Sequence, residues 1–287
     1  MRTVPRPNFS TDEVILKCIS NYEDEELVSR FKDSIEEIVE WGSVLKEKIE
    51  TNTVHTIEED SCIPRIIDKA EMIKLYNDKF SKQGQPGRDY YNTIMELPKH
   101  LLCPLCGYRP VDSIDHYLPK GKFPVFSISP LNLIPACFGC NKRKKEKKAN
   151  KAEEEFLHPY FDNIEDDLWL YSAFEEKIPL TIFFNVNPHE SWDDITKERV
   201  RKHFNIFQIG QLYSSYASSD ISGNIYNLKK IYDEGGASAL KNELFRTVES
   251  FQYAQVNSWQ TAMYSALYNS EWFCEEALNY SIEDILK

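Results

Sequence analysis

Four cysteines in two pairs, Cys103-Pro-Leu-Cys106 and Cys137-Phe-Gly-Cys140, carry the most specific spacing in this chain. Each pair can place two thiolates on one ion, and two pairs complete a tetrahedral Zn²⁺ shell. With all four positions filled by protein, such a zinc is structural rather than catalytic. The 30 residues between Cys106 and Cys137 exceed a compact zinc ribbon, so other chemistry is inserted between the knuckles. The competing readings are four unrelated buried thiols, or a redox pair, which would want a βαβ pattern that neither pair has. Cys18, Cys62 and Cys274 read as ordinary buried residues.

The inserted segment holds Asp115-His116 within Ser-Ile-Asp-His-Tyr-Leu-Pro-Lys, read as the end of a strand closed by Pro119. Asn132 follows in Pro-Leu-Asn-Leu-Ile-Pro, and Asn141 directly follows Cys140. A carboxylate beside a histidine offers a metal ligand and a base on adjacent positions. Adjacent side chains of an extended segment point apart, so both can serve one phosphate only if the backbone twists or turns there. Taken alone, the pair reads as a surface feature.

Together these residues resemble the HNH, or ββα-metal, endonuclease family. Its zinc-containing members show Asp-His, then Asn, then a His directly after the last knuckle cysteine; here Asn141 stands at that last place, as in other members. The nine-residue step from Asn132 to Asn141 is also the family's step. The resemblance covers roughly residues 100–145. It implies metal-dependent hydrolysis of phosphodiester bonds, with His116 as general base, Asp115 and Asn141 holding a divalent ion, and Asn132 bracing the loop that orients His116. One carboxylate and one amide leave room for water and phosphate oxygens, which suits Mg²⁺ or Mn²⁺. The segments 158–161 and 257–264 more loosely resemble nuclease subunits of bacterial anti-phage systems of the Septu kind. That likeness implies an effector working with an ATPase partner. Asn141 is expected to open a helix carrying the basic run Lys142, Arg143, Lys144, Lys145, Lys147 and Lys148, a phosphate-binding surface to which Lys120 and Lys122 add. His158 could be a further metal or phosphate ligand, or pack with Tyr160 and Phe161. His55, His100, His189 and His203 have no motif around them.

Charge agrees with a concentrated nucleic-acid surface. The 287-residue chain has a net charge of −12, yet residues 96–151 hold eleven Lys/Arg against four Asp/Glu, which leaves −19 for the remainder. There is no Walker A sequence and no Gly-rich dinucleotide fingerprint. There is no apolar run long enough for a membrane span and no apolar stretch at the N-terminus, so cytoplasmic residence is the default.

The elements that must position these residues are mostly helical. Ser10 and Glu13 form a capping box for a helix from Thr11. Leu27, Phe31, Ile35, Ile38, Trp41, Leu45 and Ile49 recur at helical steps and predict one long helix. Ile66–Phe80 and Tyr90–Leu97 predict two more, separated by Gly84-Gln85-Pro86-Gly87. Leu168–Phe174 and Leu180–Val186 read as strands, a helix follows the cap Ser191, and Leu240–Leu267 keeps helical periodicity. The expected organisation is a helical region 1–97, the motif module 98–161 and a mainly helical region 162–287 with a short strand pair. The fold class is therefore α+β: a small ββα-metal module with a four-cysteine zinc site in a mainly α-helical protein. The rival to a nuclease is a non-catalytic, zinc-stabilised nucleic-acid binder or scaffold, which would not need Asp115-His116.

Overall fold

The computed structural model describes residues 1–287, the side chain of Asp60 aside. The architecture is α+β, mainly helical with two small antiparallel sheets and a buried cluster of four cysteines. Contacts divide the chain into two compact units, Met1–Ile164 and Glu165–Lys287. The N-terminal helices and the motif module thus share one unit. The module is too small to bury its own loops, and Trp41, Tyr76 and Ile94 from the helices supply apolar cover. Among the described residues no helix is long and apolar enough to cross a membrane.

The first unit begins with α1 (Thr11–Ile19), α2 (Glu25–Asp33) and α3 (Ile35–Glu50). Ser10 N donates to Glu13 Oε2 at 2.7 Å, the capping box expected. The single long helix expected over 27–49 is interrupted at buried Ser34. Phe31 and Ile38 stay buried on either side, so the apolar stripe runs through the break and hides it from periodicity. Next comes α4 (Lys69–Lys74), capped by Asp68, whose side chain accepts from Glu71 N at 2.8 Å. It runs on as a π-helical turn, Leu75–Phe80, with Ser81 N donating to Tyr76 O at 2.8 Å. α5 spans Arg88–Glu96.

The motif module is β1 (Ser113–His116), β2 (Leu133–Ala136) and α6 (Phe138–Lys144). The strands pair antiparallel with Asp115 opposite Ile134 and His116 opposite Leu133. The helix carrying the basic run is much shorter than expected. Lys145 takes φ 54° and ends it, so Lys145, Lys147 and Lys148 lie beyond the helix rather than on it.

The second unit pairs β3 (Leu170–Phe174) with β4 (Ile182–Val186), antiparallel. Helices α7 (Asp194–Ile206), α8 (Ile209–Ala254) and α9 (Trp259–Asn269) follow, then the short α10 (Glu271–Glu275) and α11 (Ile282–Leu286). α7 starts at Asp193, which accepts from Thr196 N at 2.7 Å, not at Ser191. The periodicity over 240–267 belongs to two helices, because Ser258 caps α9 by accepting from Thr261 N at 2.9 Å.

Close approach fixes one glycine. A Cβ on Gly87 would lie 2.5 Å from Cys18 Sγ, 2.8 Å from Lys79 O and 2.9 Å from Phe80 Cα, and two of these are backbone atoms that cannot rotate away. Gly87→Ala is expected to destabilise the first unit by about 1–3 kcal/mol through overpacking. Gly223→Ala, on α8 where a Cβ meets nothing within 4 Å, is expected to be neutral or stabilising by up to ~1 kcal/mol. Urea midpoints of the two variants against wild type check both.

Candidate metal centre and cleft

The two knuckles converge. Cys103, Cys106, Cys137 and Cys140 are buried, and their sulfurs all lie within 4.8 Å of one another. Cys106 and Cys137 are 4.0 Å apart, close to the ~3.8 Å edge of a tetrahedron with metal–sulfur bonds of about 2.3 Å. Backbone amides turn toward the sulfurs, Arg109 N to Cys106 Sγ at 3.5 Å and Cys140 N to Cys137 Sγ at 3.4 Å. Cys137 thereby caps α6, so the second knuckle and the start of the helix are one device. The donor set can hold a metal such as zinc. Cys18 and Cys62 are buried elsewhere, and burial pushes their thiols up to about 12 and about 11, the behaviour of inert packed cysteines. Cys274 is buried as well.

Beside the cysteine cluster, the module opens a cleft of about 480 Å³ that brings together Asp115, His116, Asn141, Lys120, Lys142 and Lys145. His116 Nε2 lies 2.9 Å from Ser127 O. A carbonyl can only accept, so Nε2 carries the proton and Nδ1 keeps its lone pair. Burial, with Lys120 next in importance, lowers the imidazole to about 3 against the opposing pull of the Ser127 bond. The ring is therefore neutral near pH 7, with its Nδ1 lone pair free but weakly basic at that value. Asn132 does not line the cleft. It is fully buried, accepting from Leu118 N at 2.7 Å and donating to Leu118 O at 3.0 Å and Phe126 O at 3.1 Å. It pins the two ends of the 117–132 loop, which also presents Ser127 O to His116.

Asp115 is buried, and its Oδ2 sits 2.9 Å from Lys144 Nζ, itself 2% exposed. Burial raises the Asp115 carboxyl, and the Lys144 ammonium pulls it back down. Lys144 Nζ also donates to His116 O at 2.5 Å. Lys144 therefore leaves the expected phosphate-facing set: it is an internal counter-charge. Asn141 Nδ2 approaches Ser113 Oγ and Ile114 O at 3.4 Å each, which leaves its amide oxygen without a hydrogen bond among the described residues.

Other basic residues divide in the same way. Lys148 donates to Ile57 O at 2.6 Å and Lys122 to Glu59 Oε1 at 3.0 Å, so both stitch loops together. Lys120 donates to Asn77 Oδ1 at 2.7 Å while staying on the cleft wall. Arg143 donates to Gly139 O at 3.2 Å. Lys142, Lys145 and Lys147 are exposed. His158 is no ligand. It is fully buried, Nε2 meets Leu131 O at 2.9 Å, Nδ1 accepts from Tyr160 N at 3.2 Å, and its ring packs with Tyr117, Tyr160 and Phe161.

Sequence reasoning missed Tyr76. The π turn carries its ring to 4.5 Å from His116, and Lys120 Nζ lies 4.1 Å above it. A one-residue slip in helical phase leaves no mark on apolar spacing.

The Asp115–Lys144 pair yields a stability prediction. Lys144→Met leaves a buried carboxylate without its partner, expected to cost about 3–5 kcal/mol near neutral pH. A carboxyl raised in the folded state binds more protons folded than unfolded, so its penalty grows as pH rises through the window above the ordinary carboxylate value. The thermal midpoint of Lys144→Met should thus fall further below wild type at pH 7 than at pH 4. Adding Asp115→Asn should recover part of the loss at pH 7.

No protein-family model matches the chain, and no solved structure matches it. It is similar to protein ea31 of Escherichia phage lambda, 27% identical over an alignment of 235 positions that covers 76% of this chain and 78% of that protein.

Proposed function

We propose that the chain is a metal-dependent endonuclease of the HNH kind that hydrolyses phosphodiester bonds, acting on DNA in preference to RNA. The observation that carries this reading is the cleft in which Asp115, His116 and Asn141 meet on a strand and a helix, with Lys120, Lys142 and Lys145 on its walls. Unlike His158, which a backbone carbonyl also holds, His116 lines an open cleft together with Asp115 and Asn141, which supports a catalytic role over simple binding.

The residues fit a catalytic Mg²⁺ or Mn²⁺. Asp115 offers a carboxylate paired with Lys144, and Asn141 offers an uncommitted amide oxygen. An ion there would neutralise phosphate charge and stabilise the leaving oxygen. His116 takes a proton from water at Nδ1, since Nε2–H is committed to Ser127 O. Asn132 keeps that carbonyl in place. Lys142 and Lys145 position the phosphate backbone without reading sequence. The four cysteines fit Zn²⁺ in a closed, structural role. The likeness of segments 158–161 and 257–264 to anti-phage nuclease subunits supports a cytoplasmic effector working with an ATPase partner.

Plasmid and RNA incubated with the full chain and Mg²⁺, with and without EDTA, test the reading. His116→Ala is expected to lower cleavage ~10²–10⁴-fold while substrate binding persists. Asp115→Ala should be inactive too, with partial recovery at raised Mn²⁺ that His116→Ala does not show. Full cleavage by His116→Ala would remove the nuclease reading and leave the binding module in its place.

The zinc reading has its own check. Elemental analysis should find about one zinc per chain, and Cys103→Ser should fail to accumulate folded, because structural zinc binding is folding free energy. Folded, soluble protein free of zinc would refute it.

A further inference from the structure

The second unit carries an unfinished sheet. Asn187 N donates to Trp169 O at 2.9 Å, which fixes the phase of the β3–β4 ladder. With Leu170 opposite Val186 and Phe174 opposite Ile182, residues 169, 171 and 173 bond across to β4. The amides and carbonyls of Leu170, Ser172 and Phe174 then point to the outer edge of β3. No third strand pairs there among the described residues. Asn257 Oδ1 serves as a stand-in at one end, accepting from Trp169 N at 2.9 Å and Leu170 N at 3.1 Å. Beyond it, the amides of Ser172 and Phe174 have no partner among the described residues, and Ser172 Oγ is buried without one. Along this edge, between β3 and α9, runs a groove of about 550 Å³ with walls that include Leu168, Phe174, Val256, Ala262 and Ala266. An unpaired strand edge is a template for another strand, and an apolar groove beside it can take alternate side chains of that strand.

Charge selects the occupant. Glu165, Asp166 and Asp167 precede β3, the first two already engaged and Asp167 Oδ2 accepting from Trp192 Nε1 at 2.7 Å, and Glu175 and Glu176 follow it. Glu176 lines the groove, while Glu175 pairs with Lys177. A second copy pairing through β3 would set these acids against the same acids in either strand direction, which is destabilising. We propose that the outer edge of β3 and the groove beside α9 bind an extended peptide strand of a partner protein, apolar at alternate positions and carrying Lys or Arg at its ends. β3 has five residues, so the bound strand is of similar length. This site belongs to the second unit alone and does not depend on the nuclease reading.

The test uses the full chain and two labelled peptides, Lys-Arg-Val-Thr-Val-Thr-Val-Arg-Lys and the same core flanked by Glu and Asp, followed by fluorescence anisotropy. The basic peptide should bind saturably and the acidic one roughly tenfold or more weaker. Ser172→Pro removes an outward amide while sparing the ladder, a place where proline is tolerated on an edge strand. Ala266→Trp fills the groove from α9. Each should weaken the basic peptide roughly tenfold or more, with circular dichroism unchanged; if one variant unfolds, the other decides. Absence of saturable binding, equal binding of both peptides, or unchanged affinity in the folded variants would overturn the proposal. So would self-association of the wild type that Ser172→Pro abolishes, which would assign the edge to a second copy.

Discussion

The buried ammonium of Lys144 is the interaction on which the module's geometry turns. It is 2% exposed and reaches two acceptors on β1 at once, the Asp115 carboxylate and the His116 carbonyl. Desolvating an ammonium and a carboxylate costs several kcal/mol for each ion, and their attraction offsets that only with good geometry and further hydrogen bonds. Both conditions hold here. The result is that the last residue of α6 is locked to the last two residues of β1, while the cysteine cluster locks the first turn of α6 to the opposite knuckle. A seven-residue helix, too short to be stable by itself, is thus fastened at both ends. Its C-terminal end positions the charged cleft residues. Lys145 shows the strain: it follows Lys144 with φ 54° and ψ −147°, a backbone region costing about 1–3 kcal/mol for a residue with a side chain.

A second constraint runs through the 117–132 loop. Asn132 satisfies three backbone groups from inside, so the loop's two ends are held together without a third strand. That loop supplies Ser127 O, and Ser127 O decides which nitrogen of His116 holds the proton. Tyr76 closes the other side of the imidazole from a π turn. The histidine is therefore oriented by a carbonyl, a ring and a buried cation, drawn from three separate stretches of chain.

What could be read in the sequence were features set by local spacing. Each CxxC pair gathers its two sulfurs because a two-residue gap is a local geometry, and the strand ending at His116 is marked by the Pro119 that closes it, whereas β2 has no such local mark. The Ser10 capping box has the same origin. What could not be read depended on partners distant in sequence. Lys144 looks like any other residue of the basic run, and nothing local distinguishes the buried one, because its burial is decided by Asp115, far earlier in the chain. His158 could be read either as a ligand or as packing with Tyr160 and Phe161. Only its contact with Leu131 O commits the ring. The break at Ser34 and the π turn at 75–80 are shifts of helical phase, which periodicity averages away.

The redistribution of lysines also bears on how such a protein could meet nucleic acid. Eleven basic residues over 96–151 read as a dense phosphate surface, but Lys122, Lys144 and Lys148 are committed to internal acceptors. The exposed remainder near the cleft is Lys142, Lys145 and Lys147. Three phosphate contacts imply a salt slope near −0.9 for each, so affinity changes only on the order of 10–100-fold between 50 and 200 mM salt. The −19 carried by the rest of the chain opposes even that. Electrostatics of this size cannot hold a long duplex by themselves. The inward use of lysine thus favours geometry over affinity: positive charge that would have made an exposed basic surface instead fixes the carboxylate and the imidazole that line the cleft, so on the proposed nuclease reading the shape of that cleft would have to set the encounter.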